Sequence, residues 1–296
     1  MGRPTLAVTL GDPRGIGPEI VRAALADARV RDRCDLVVVG PVGAGLHVDV
    51  PVGEWTHATT AAGAGRLSGL AVERAVALAL DGEVQGIVTA PIDKAALLAG
   101  GYDFPGHTEM LAALCSREVA MMLASDRLRV VLATTHLPLR DVPDAVTPAA
   151  IARVASITTW HLEKWFGVRR PRIALCALNP HAGDGGRFGR EDDDVLRPAA
   201  RAAGIAGPFP ADTVFVRAMR GEFDAVIAPY HDVGMTAIKV ASFGSAVNIT
   251  LGLPFPRCSP DHGTALDIAG HGKADPTSLI AALRLASGMA QKRAQA

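Results

Sequence analysis

The chain has little aromatic character and no excess of charge of either sign, and both shortages exclude functions. Aromatic residues make up only 4% of the 296 residues, too few for a platform that stacks nucleic-acid bases. Thirty acidic residues balance thirty basic ones, so no net field attracts nucleic acid or an acidic membrane surface. No apolar run approaches the roughly 20 residues of a membrane span. We therefore expect neither nucleic acid nor a membrane as a partner.

Cysteine is also scarce, and its positions form no metal-binding or redox motif. The four cysteines are far apart and make no C-x-x-C pair; they are Cys34, Cys115, Cys176 and Cys258. The first residues lead directly into a predicted strand and lack the long apolar stretch of a signal peptide. These features predict reduced packing thiols in a cytoplasmic protein.

Strand-like and helix-like segments alternate along the whole chain, which predicts an α/β fold with a largely parallel or mixed sheet. No internal repeat, low-complexity tract or long linker interrupts this alternation. The Ala/Gly/Thr-rich residues 58–69 are predicted to be a loop that leads into a helix over 70–80. The predicted strands are 6–10, 36–39, 86–90, 119–124, 128–134, 173–178, 223–228 and 246–251.

Three apolar, strand-like runs each end in a histidine, at His136, His181 and His231. In an open, largely parallel sheet, residues just past the carboxyl ends of strands converge on the ligand crevice. Three imidazoles delivered there could hold one divalent metal and leave a position open for substrate. A single histidine is more often structural, so the prediction depends on the position that the three share.

Two loops are rich in glycine or polar residues. The segment Gly11–Glu19 is a tight turn, but it matches neither a Walker A loop nor the dinucleotide G-x-G-x-x-G motif. In the segment Gly106–Glu109, His107 and Thr108 could donate hydrogen bonds to substrate oxygens. Alternatively, Thr108 is the N-cap of the following helix, and both can hold because helix N-termini attract anions.

Three further polar residues lie in apolar or rigid surroundings. Only five lysines accompany twenty-five arginines, so Lys239 within an apolar stretch is predicted to be partly desolvated, as an anion ligand or a base. Asn248 interrupts an apolar run, either as a ligand or as a satisfied core amide. Arg257, in a proline-flanked loop, suits a phosphate or carboxylate. The carboxylates at 191–194 are expected in the first turn of a helix, where they complement the macrodipole, rather than at a second metal site.

A family resemblance emerges from many of these segments taken in order. The segments are Gly11–Glu19, Thr89–Lys94, Asp103–Glu109, Ala133–Leu139, Leu178–Gly183, Gly207–Thr213, Tyr230–Asp232, Val247–Phe255 and Asp261–Ala265. They resemble the 4-hydroxythreonine-4-phosphate dehydrogenase family of pyridoxal phosphate biosynthesis over essentially the whole chain. The resemblance implies a homodimer with its active site at the subunit interface, so the three histidines need not all come from one chain.

The resemblance also implies roles for individual residues. His136, His181 and His231 would be the metal ligands. Three neutral imidazoles favour zinc, with magnesium or cobalt as alternatives. The implied substrate contacts are His107, Thr108, Lys239, Asn248 and Arg257. Either Asp232 or Lys239 would take the proton of the reacting hydroxyl.

A wider resemblance concerns the nucleotide. The opening Gly-Ile-Gly-Pro-Glu19 and the segment 262–270 are similar to isocitrate and isopropylmalate dehydrogenases, which implies their fold. It also implies a cofactor site formed by His262, Gly263, Thr264 and Asp267. A carboxylate at Asp267 would accept from a ribose 2′-hydroxyl and repel a 2′-phosphate, so NAD is expected over NADP; alternatively, Asp267 is a turn carboxylate.

We expect a nucleotide-binding α/β domain of residues 1–125 and 262–296. Residues 126–261 would form an α/β domain for metal, substrate and dimerisation.

The implied reaction is NAD-dependent and metal-dependent oxidation of 4-phosphohydroxy-L-threonine, followed by decarboxylation to 3-amino-2-oxopropyl phosphate. Two departures leave the substrate open. The segment before Leu70 is shorter than in typical members by roughly thirty residues, judged from motif spacing, and Val233 stands where the family usually carries glutamine. A catabolic relative that oxidises threonate or erythronate 4-phosphate is the alternative substrate assignment. A silent binding protein or a metal hydrolase without nucleotide are the alternatives from other classes.

Overall fold

The computed structural model describes residues 2–242 and 245–295. The chain divides into two compact units: unit 1 is Met1–Glu118 with Leu253–Ala296, and unit 2 is Val119–Gly252. The boundaries expected from the sequence lie at 125/126 and 261/262. Residues 119–125 therefore belong to unit 2 rather than unit 1, and residues 253–261 belong to unit 1 rather than unit 2. Among the described residues, no helix is both long enough and apolar enough to cross a membrane.

The strands and helices alternate as the sequence predicts. The strands are β1 (Thr5–Thr9), β2 (Asp35–Val42), β3 (Val50–Glu54), β4 (Gly86–Thr89), β5 (Ala120–Ala124), β6 (Arg129–Leu132), β7 (Ile173–Cys176), β8 (Ala206–Phe209), β9 (Ala225–Ala228), β10 (Val247–Leu251) and β11 (Arg257–Pro260). The helices are α1 (Gly17–Ala26), α2 (Ala28–Arg31), α3 (Ala61–Leu80), α4 (Lys94–Ala99), α5 (His107–Cys115), α6 (Val142–Ala145), α7 (Pro148–Lys164), α8 (Arg197–Ala202), α9 (Ala211–Met219), α10 (His231–Ser242) and α11 (Thr277–Arg293).

Unit 1 contains a parallel sheet with the strand order β3-β2-β1-β4-β11. In its strand β1, Leu6, Ala7 and Val8 are fully buried. A parallel strand covered by helices on both faces needs such a continuous apolar run. Helix α3 packs against α4 through Gly65, where an added Cβ would lie 1.8 Å from the carbonyl oxygen of Ala96.

Unit 2 contains the strand order β10-β5-β6-β9-β7-β8. Strand β5 is antiparallel to both of its neighbours, whereas β6, β9, β7 and β8 are parallel to one another. Helices α9 and α10 cover this sheet with Val214, Phe215 and Ile238, which belong to the core of the unit. The prediction of an α/β fold with a largely parallel, mixed arrangement of strands is therefore confirmed.

The predicted loop over 58–69 was wrong for most of its length. Helix α3 begins at Ala61, and the Thr60 side chain caps it by accepting a hydrogen bond from the Gly63 amide at 3.1 Å. Alanine favours helix, and the glycines of this segment allow close packing rather than breaking the helix. The elements that were not predicted are strands β3, β8 and β11 and helices α2, α6, α9 and α10.

Candidate functional site

Three histidines follow three neighbouring strands of unit 2. His136 follows β6, His231 begins α10 directly after β9 and His181 follows β7. Strand β9 pairs in parallel with β6 on one side and with β7 on the other. The carboxyl ends of the three strands therefore lie at the same edge of the sheet, as the sequence predicted.

The structure brings two of these histidines together. The ring centroids of His136 and His231 lie 5.7 Å apart, and the rings are inclined at 43°. The Nδ1 of His231 lies 2.7 Å from Oδ1 of Asp232. A carboxylate oxygen at this position favours the tautomer with the proton on Nδ1, which would leave the Nε2 lone pair of His231 for a ligand. The arrangement is typical of a metal-binding histidine oriented by a carboxylate.

His181 occupies a separate loop. It is exposed, has a left-handed backbone with φ of 53°, and its nearest aromatic ring is Phe188 at 6.3 Å. In the described part of this single chain, no three His, Cys, Asp or Glu side chains are grouped so that they could hold one metal ion. Of the three predicted metal ligands, one chain therefore brings two close together, His136 and His231.

A cavity of about 140 Å³ adjoins the histidine pair, with Thr135, His136, Leu139, Tyr230, His231 and Asp232 among its walls. A second pocket of about 450 Å³ shares Tyr230 and Asp232 and adds Asp212, Val233 and Thr236. Burial raises the pKa of the Tyr230 phenol, so it remains a neutral hydrogen-bonding group. Two carboxylates, Asp212 and Asp232, therefore border the space beside the imidazoles.

The remaining predicted residues of unit 2 differ in exposure. Lys239 lies on α10 and is exposed, so the prediction of a partly desolvated lysine was wrong for the isolated chain; Ile238 beside it faces the core. Asn248 is the second residue of β10 and pairs with Leu123. Its Oδ1 is buried and has no hydrogen-bond partner among the described residues. The alternative of a satisfied core amide is therefore wrong for that oxygen.

Unit 1 holds a cationic cluster, which consists of the buried guanidinium of Arg257, the imidazole of His107 and the exposed ammonium of Lys94. Arg257 was expected in a loop, but it begins β11, is 1% exposed and donates from Nη2 to the Thr89 hydroxyl at 2.6 Å. Burial lowers the pKa of the Arg257 guanidinium to about 10, against smaller opposing effects of Cys258 and Glu109. The guanidinium still carries its charge at neutral pH. The cluster therefore presents a fixed positive charge inside the unit.

His107 is the first residue of α5 and its Nε2 is buried with no hydrogen-bond partner among the described residues. Burial, and then the charges of Arg257 and Lys94, hold the pKa of the His107 imidazole well below 6.5. The ring is therefore neutral at pH 7. Thr108 follows it in the helix, but Gly106 is the N-cap and no side chain caps this end, so the predicted capping role of Thr108 was wrong. The helix N-terminus, Arg257 and an unsatisfied imidazole together suit an anionic ligand.

The predicted cofactor segment packs against the first glycine-rich motif inside unit 1. The amide of Ile16 donates to the carbonyl of Thr264 at 2.9 Å, and a Cβ on Gly15 would lie 2.7 Å from that same oxygen. The carboxylate of Glu19 accepts from the amides of Gly270 and Ala274 at 3.2 and 3.1 Å. Gly15 and Glu19 of the opening motif therefore hold the late loop in position.

A pocket of about 680 Å³ lies beside this contact and is bordered by Arg14, Glu19, Arg22, Trp55, His57 and Gly270. The four predicted cofactor residues, His262, Gly263, Thr264 and Asp267, do not border it, and Asp267 is exposed. The pocket offers an indole, two guanidinium groups and loop amides, which suits a ligand that combines an aromatic base with phosphates.

Sequence reasoning missed several residues that organise these sites. Asp192 and Glu191 hold the loop of His181, and Asp212 borders the pocket beside Asp232. Lys94 acts on His107 through its charge. Lys94 and Asp212 both lie within segments that carried the family resemblance, and that position was the available signal. The carboxylates at 191–194 gave no such signal, because a helical first turn explains them equally well. They do lie at the start of the π-helical turn Asp192–Leu196, which leads directly into α8, as expected.

A family model described as pyridoxal phosphate biosynthetic protein PdxA matches residues 20–286. A 4-hydroxythreonine-4-phosphate dehydrogenase of Chromobacterium violaceum is 45% identical, with 97% of this chain and 97% of that protein covered. A D-threonate 4-phosphate dehydrogenase of Cupriavidus necator is 42% identical, with 98% of each chain covered.

Solved structures agree with this family match. The crystal structure of a 4-hydroxythreonine-4-phosphate dehydrogenase from Klebsiella pneumoniae superposes with a TM-score of 0.85 at 38% identity, covering 97% of this chain and 100% of that one. A β-decarboxylating dehydrogenase from Thermococcus kodakarensis, at 16% identity and a TM-score of 0.51, shares the fold alone over 94% of this chain and 81% of that one. The predicted likeness to the isocitrate and isopropylmalate dehydrogenase fold is thereby confirmed.

Proposed function

Because the chain belongs to the PdxA family, we propose that it oxidises the 3-hydroxyl of 4-phosphohydroxy-L-threonine with a nicotinamide cofactor. The carbinol carbon gives a hydride to the cofactor and the hydroxyl gives up a proton, which leaves 2-amino-3-oxo-4-(phosphooxy)butanoate. This β-keto acid then loses carbon dioxide and becomes 3-amino-2-oxopropyl phosphate. The observation that carries the proposal is the 45% identity to a named dehydrogenase over 97% of both chains.

The cationic cluster of unit 1 is our candidate for the anionic end of the substrate. Arg257 keeps a buried charge, and His107 has a buried nitrogen that lacks a partner among the described residues. A phosphate or carboxylate would supply acceptors for both, and Thr108 adds a hydroxyl at the same helix start. Asn248 and Lys239 are proposed as further substrate contacts.

We assign the metal to His136, His181 and His231, with zinc preferred and magnesium or cobalt as alternatives. Support comes from the pairing of two imidazoles and from Asp232, which leaves Nε2 of His231 available. A bound divalent cation would act as a Lewis acid on the substrate hydroxyl. Either Asp232 or Lys239, both of which are exposed, is the proposed acceptor of the hydroxyl proton.

A second copy of this chain is our proposed partner, because the third histidine is not grouped with the other two. Apolar side chains are exposed on the very segments that carry the proposed ligands: Leu139 is 67% exposed after His136, Phe188 is 47% exposed after His181 and Val240 is 68% exposed beside Lys239. Burying them in a homodimer would remove apolar surface from water.

Mixing two inactive variants tests this shared site. If His181 comes from the partner, His136→Ala and His181→Ala dimers that exchange subunits should regain part of the wild-type activity, since one site of each mixed dimer keeps all three ligands. If all three ligands belong to one chain, every site stays defective and no activity returns.

The 680 Å³ pocket of unit 1 is our proposed site for the adenosine end of the cofactor. The loop that carries His262, Gly263, Thr264 and Asp267 continues into the wall of this pocket at Gly270. We keep the expectation that NAD is preferred over NADP through Asp267. Asp267→Ala should then reduce the preference for NAD, measured as kcat/KM with NAD divided by kcat/KM with NADP. An unchanged ratio, or a wild-type enzyme that prefers NADP, contradicts that role.

We propose a reducing, cytoplasmic compartment as the location of the enzyme. All four cysteines are free, and burial raises the pKa of the Cys176 and Cys258 thiols to about 12, which keeps them protonated and unreactive.

The reaction is tested by following cofactor reduction with 4-phosphohydroxy-L-threonine, D-threonate 4-phosphate and erythronate 4-phosphate, each with and without a chelator. The largest kcat/KM should belong to the first compound, and the chelator should abolish the signal. A preference for D-threonate 4-phosphate would favour the second candidate function, which the Cupriavidus relative supports. Metal-dependent hydrolysis without cofactor reduction would instead indicate a hydrolase.

A further inference from the structure

The loop that carries His181 has an unusual backbone. His181, Ala182 and Asp184 all adopt positive φ values, of 53°, 54° and 44°. Residues with a Cβ are rarely found in that region, and several in succession persist only where the surroundings hold them. Within the loop, the amides of Ala182 and Asp184 donate to the carbonyls of Asn179 and His181 at 3.1 and 3.3 Å, so the conformation also depends on how the base of the loop is held.

The base of the loop is fastened by one buried carboxylate. Asp192 is fully buried, and its Oδ1 and Oδ2 accept hydrogen bonds from the backbone amides of Leu178 and Asn179 at 2.8 and 2.9 Å. Asn179 in turn donates from Nδ2 to Oε2 of Glu191 at 2.8 Å. A Cβ on Gly189 would lie 2.6 Å from both Nδ2 of Asn179 and Oε2 of Glu191. The end of the loop therefore packs directly against this hydrogen bond.

The neighbouring carboxylates act differently. Asp193 lies 2.8 Å from Nη2 of Arg197, and Asp194 lies 2.9 Å from Nε of Arg190, both in partly exposed ion pairs. Asp192 instead directs each of its two oxygens to one backbone amide. An asparagine has the same shape but only one oxygen, so its amide group would oppose one of the two N–H donors.

We propose that Asp192 is a positioning residue that fixes the His181 loop for metal binding; this rests on the proposed role of His181 as a ligand. Polar groups behind metal ligands typically change metal affinity by about 10- to 100-fold when they are removed. Asp192 would act in this way through the two amides that precede His181 in the chain.

The test compares Asp192→Asn with Asp193→Asn in the full-length protein. The zinc dissociation constant is measured by competition with a chromophoric chelator, and the visible spectrum of the cobalt-loaded protein reports the ligand geometry. We expect Asp192→Asn to weaken zinc binding by about 10- to 100-fold and to alter the cobalt spectrum. Asp193→Asn should leave both unchanged. Thermal unfolding of each variant verifies that the measurement is made on folded protein.

Equal zinc affinity and an identical cobalt spectrum for Asp192→Asn and wild type would overturn the inference, even if the variant unfolds at a lower temperature. Should Asp192→Asn not fold, Asn179→Ala decides the question, because it removes the contact to Glu191 at the loop surface. We expect a loss of about tenfold there, the lower end of the usual range, and no loss overturns the inference. If His181→Ala binds zinc like the wild type, the proposed ligand set itself fails, which is a distinct result.

Discussion

The two candidate binding regions of this protein differ in how completely a single chain builds them. In unit 1, Arg257 is buried within β11 and already bonded to Thr89, and His107 is fixed at the start of α5. In unit 2, His136 and His181 are exposed on loops, and the described residues of one chain group no three ligands for a metal.

We infer from this difference that the proposed substrate site and the proposed metal site are organised by different means. A buried guanidinium in a strand is positioned by the fold itself, so its geometry is set when unit 1 folds. Histidines on loops beyond strand ends are free to adjust, and their final geometry depends on what else joins the site. We expect metal binding to be the step that is sensitive to assembly.

The largest effect should come from His231→Ala, which removes the imidazole that Asp232 orients. A catalytic metal contributes several kcal/mol of charge stabilisation, so kcat/KM should fall by roughly 10³-fold or more. Binding of inorganic phosphate to unit 1, measured by calorimetry, should remain as in the wild type. His47→Ala, which alters an exposed histidine of unit 1, serves as the control. Loss of phosphate binding in His231→Ala would show that the two regions are not independent.

An intermediate effect is expected from Arg257→Lys. Lysine keeps the charge but loses the planar fork, including the 2.6 Å bond to the Thr89 hydroxyl. Hydrogen bonds of charged groups contribute about 1.5–3 kcal/mol, so kcat/KM for the phosphorylated substrate should fall by roughly 10- to 150-fold. Zinc affinity should stay unchanged, and Arg3→Lys, in an exposed ion pair with Asp35, should behave as wild type. A similar loss in Arg3→Lys would point to a general effect of charge geometry on the protein.

The smallest effect concerns stability and pH. Burial, with Arg257 and Lys94, holds the pKa of His107 well below 6.5 in the folded chain. At pH values between this lowered pKa and 6.5, the imidazole of His107 is therefore protonated in the unfolded chain but not in the folded chain. The free energy of unfolding should fall as the pH drops below about 6.5, by at most about 1.4 kcal/mol per pH unit from this residue.

Urea unfolding at pH 7.5 and pH 5.5 measures this contribution. His107→Gln should lose roughly 1 kcal/mol less than the wild type between the two conditions. The exposed variant His47→Gln should lose as much as the wild type. If the wild type and both variants lose the same free energy of unfolding between pH 7.5 and pH 5.5, His107 is protonated in the folded state at pH 5.5.

Some strands could be predicted from the sequence because the patterns that indicate them are local. The buried strands β1, β4 and β9 are short apolar runs bounded by turns, and they were predicted within a few residues. Helix α10 was missed because its buried positions are Gly234, Ile238 and Ser242, of which only one is a large apolar residue. Strand β11 was missed because an arginine and a proline bound its four residues, although all four are buried.

In the candidate sites too, only features with a local sequence pattern could be predicted. That His136, His181 and His231 follow strands could be predicted, since each strand and its histidine are neighbours in the chain. The role of Asp192 could not, because a carboxylate in a helical first turn gives the same pattern whether it faces solvent or accepts two buried amides. Nor did the sequence indicate that Arg257 would be buried rather than placed on a loop.

The order of residues alone determined that imidazoles would follow the apolar strands of an α/β fold, because periodicity and strand length are local properties. Only the tertiary structure decided that β9 lies between β6 and β7, and that Arg257 meets Thr89 across a separation of 168 residues. Such pairings depend on which surfaces are buried together when the chain folds, and no local stretch of sequence contains that information.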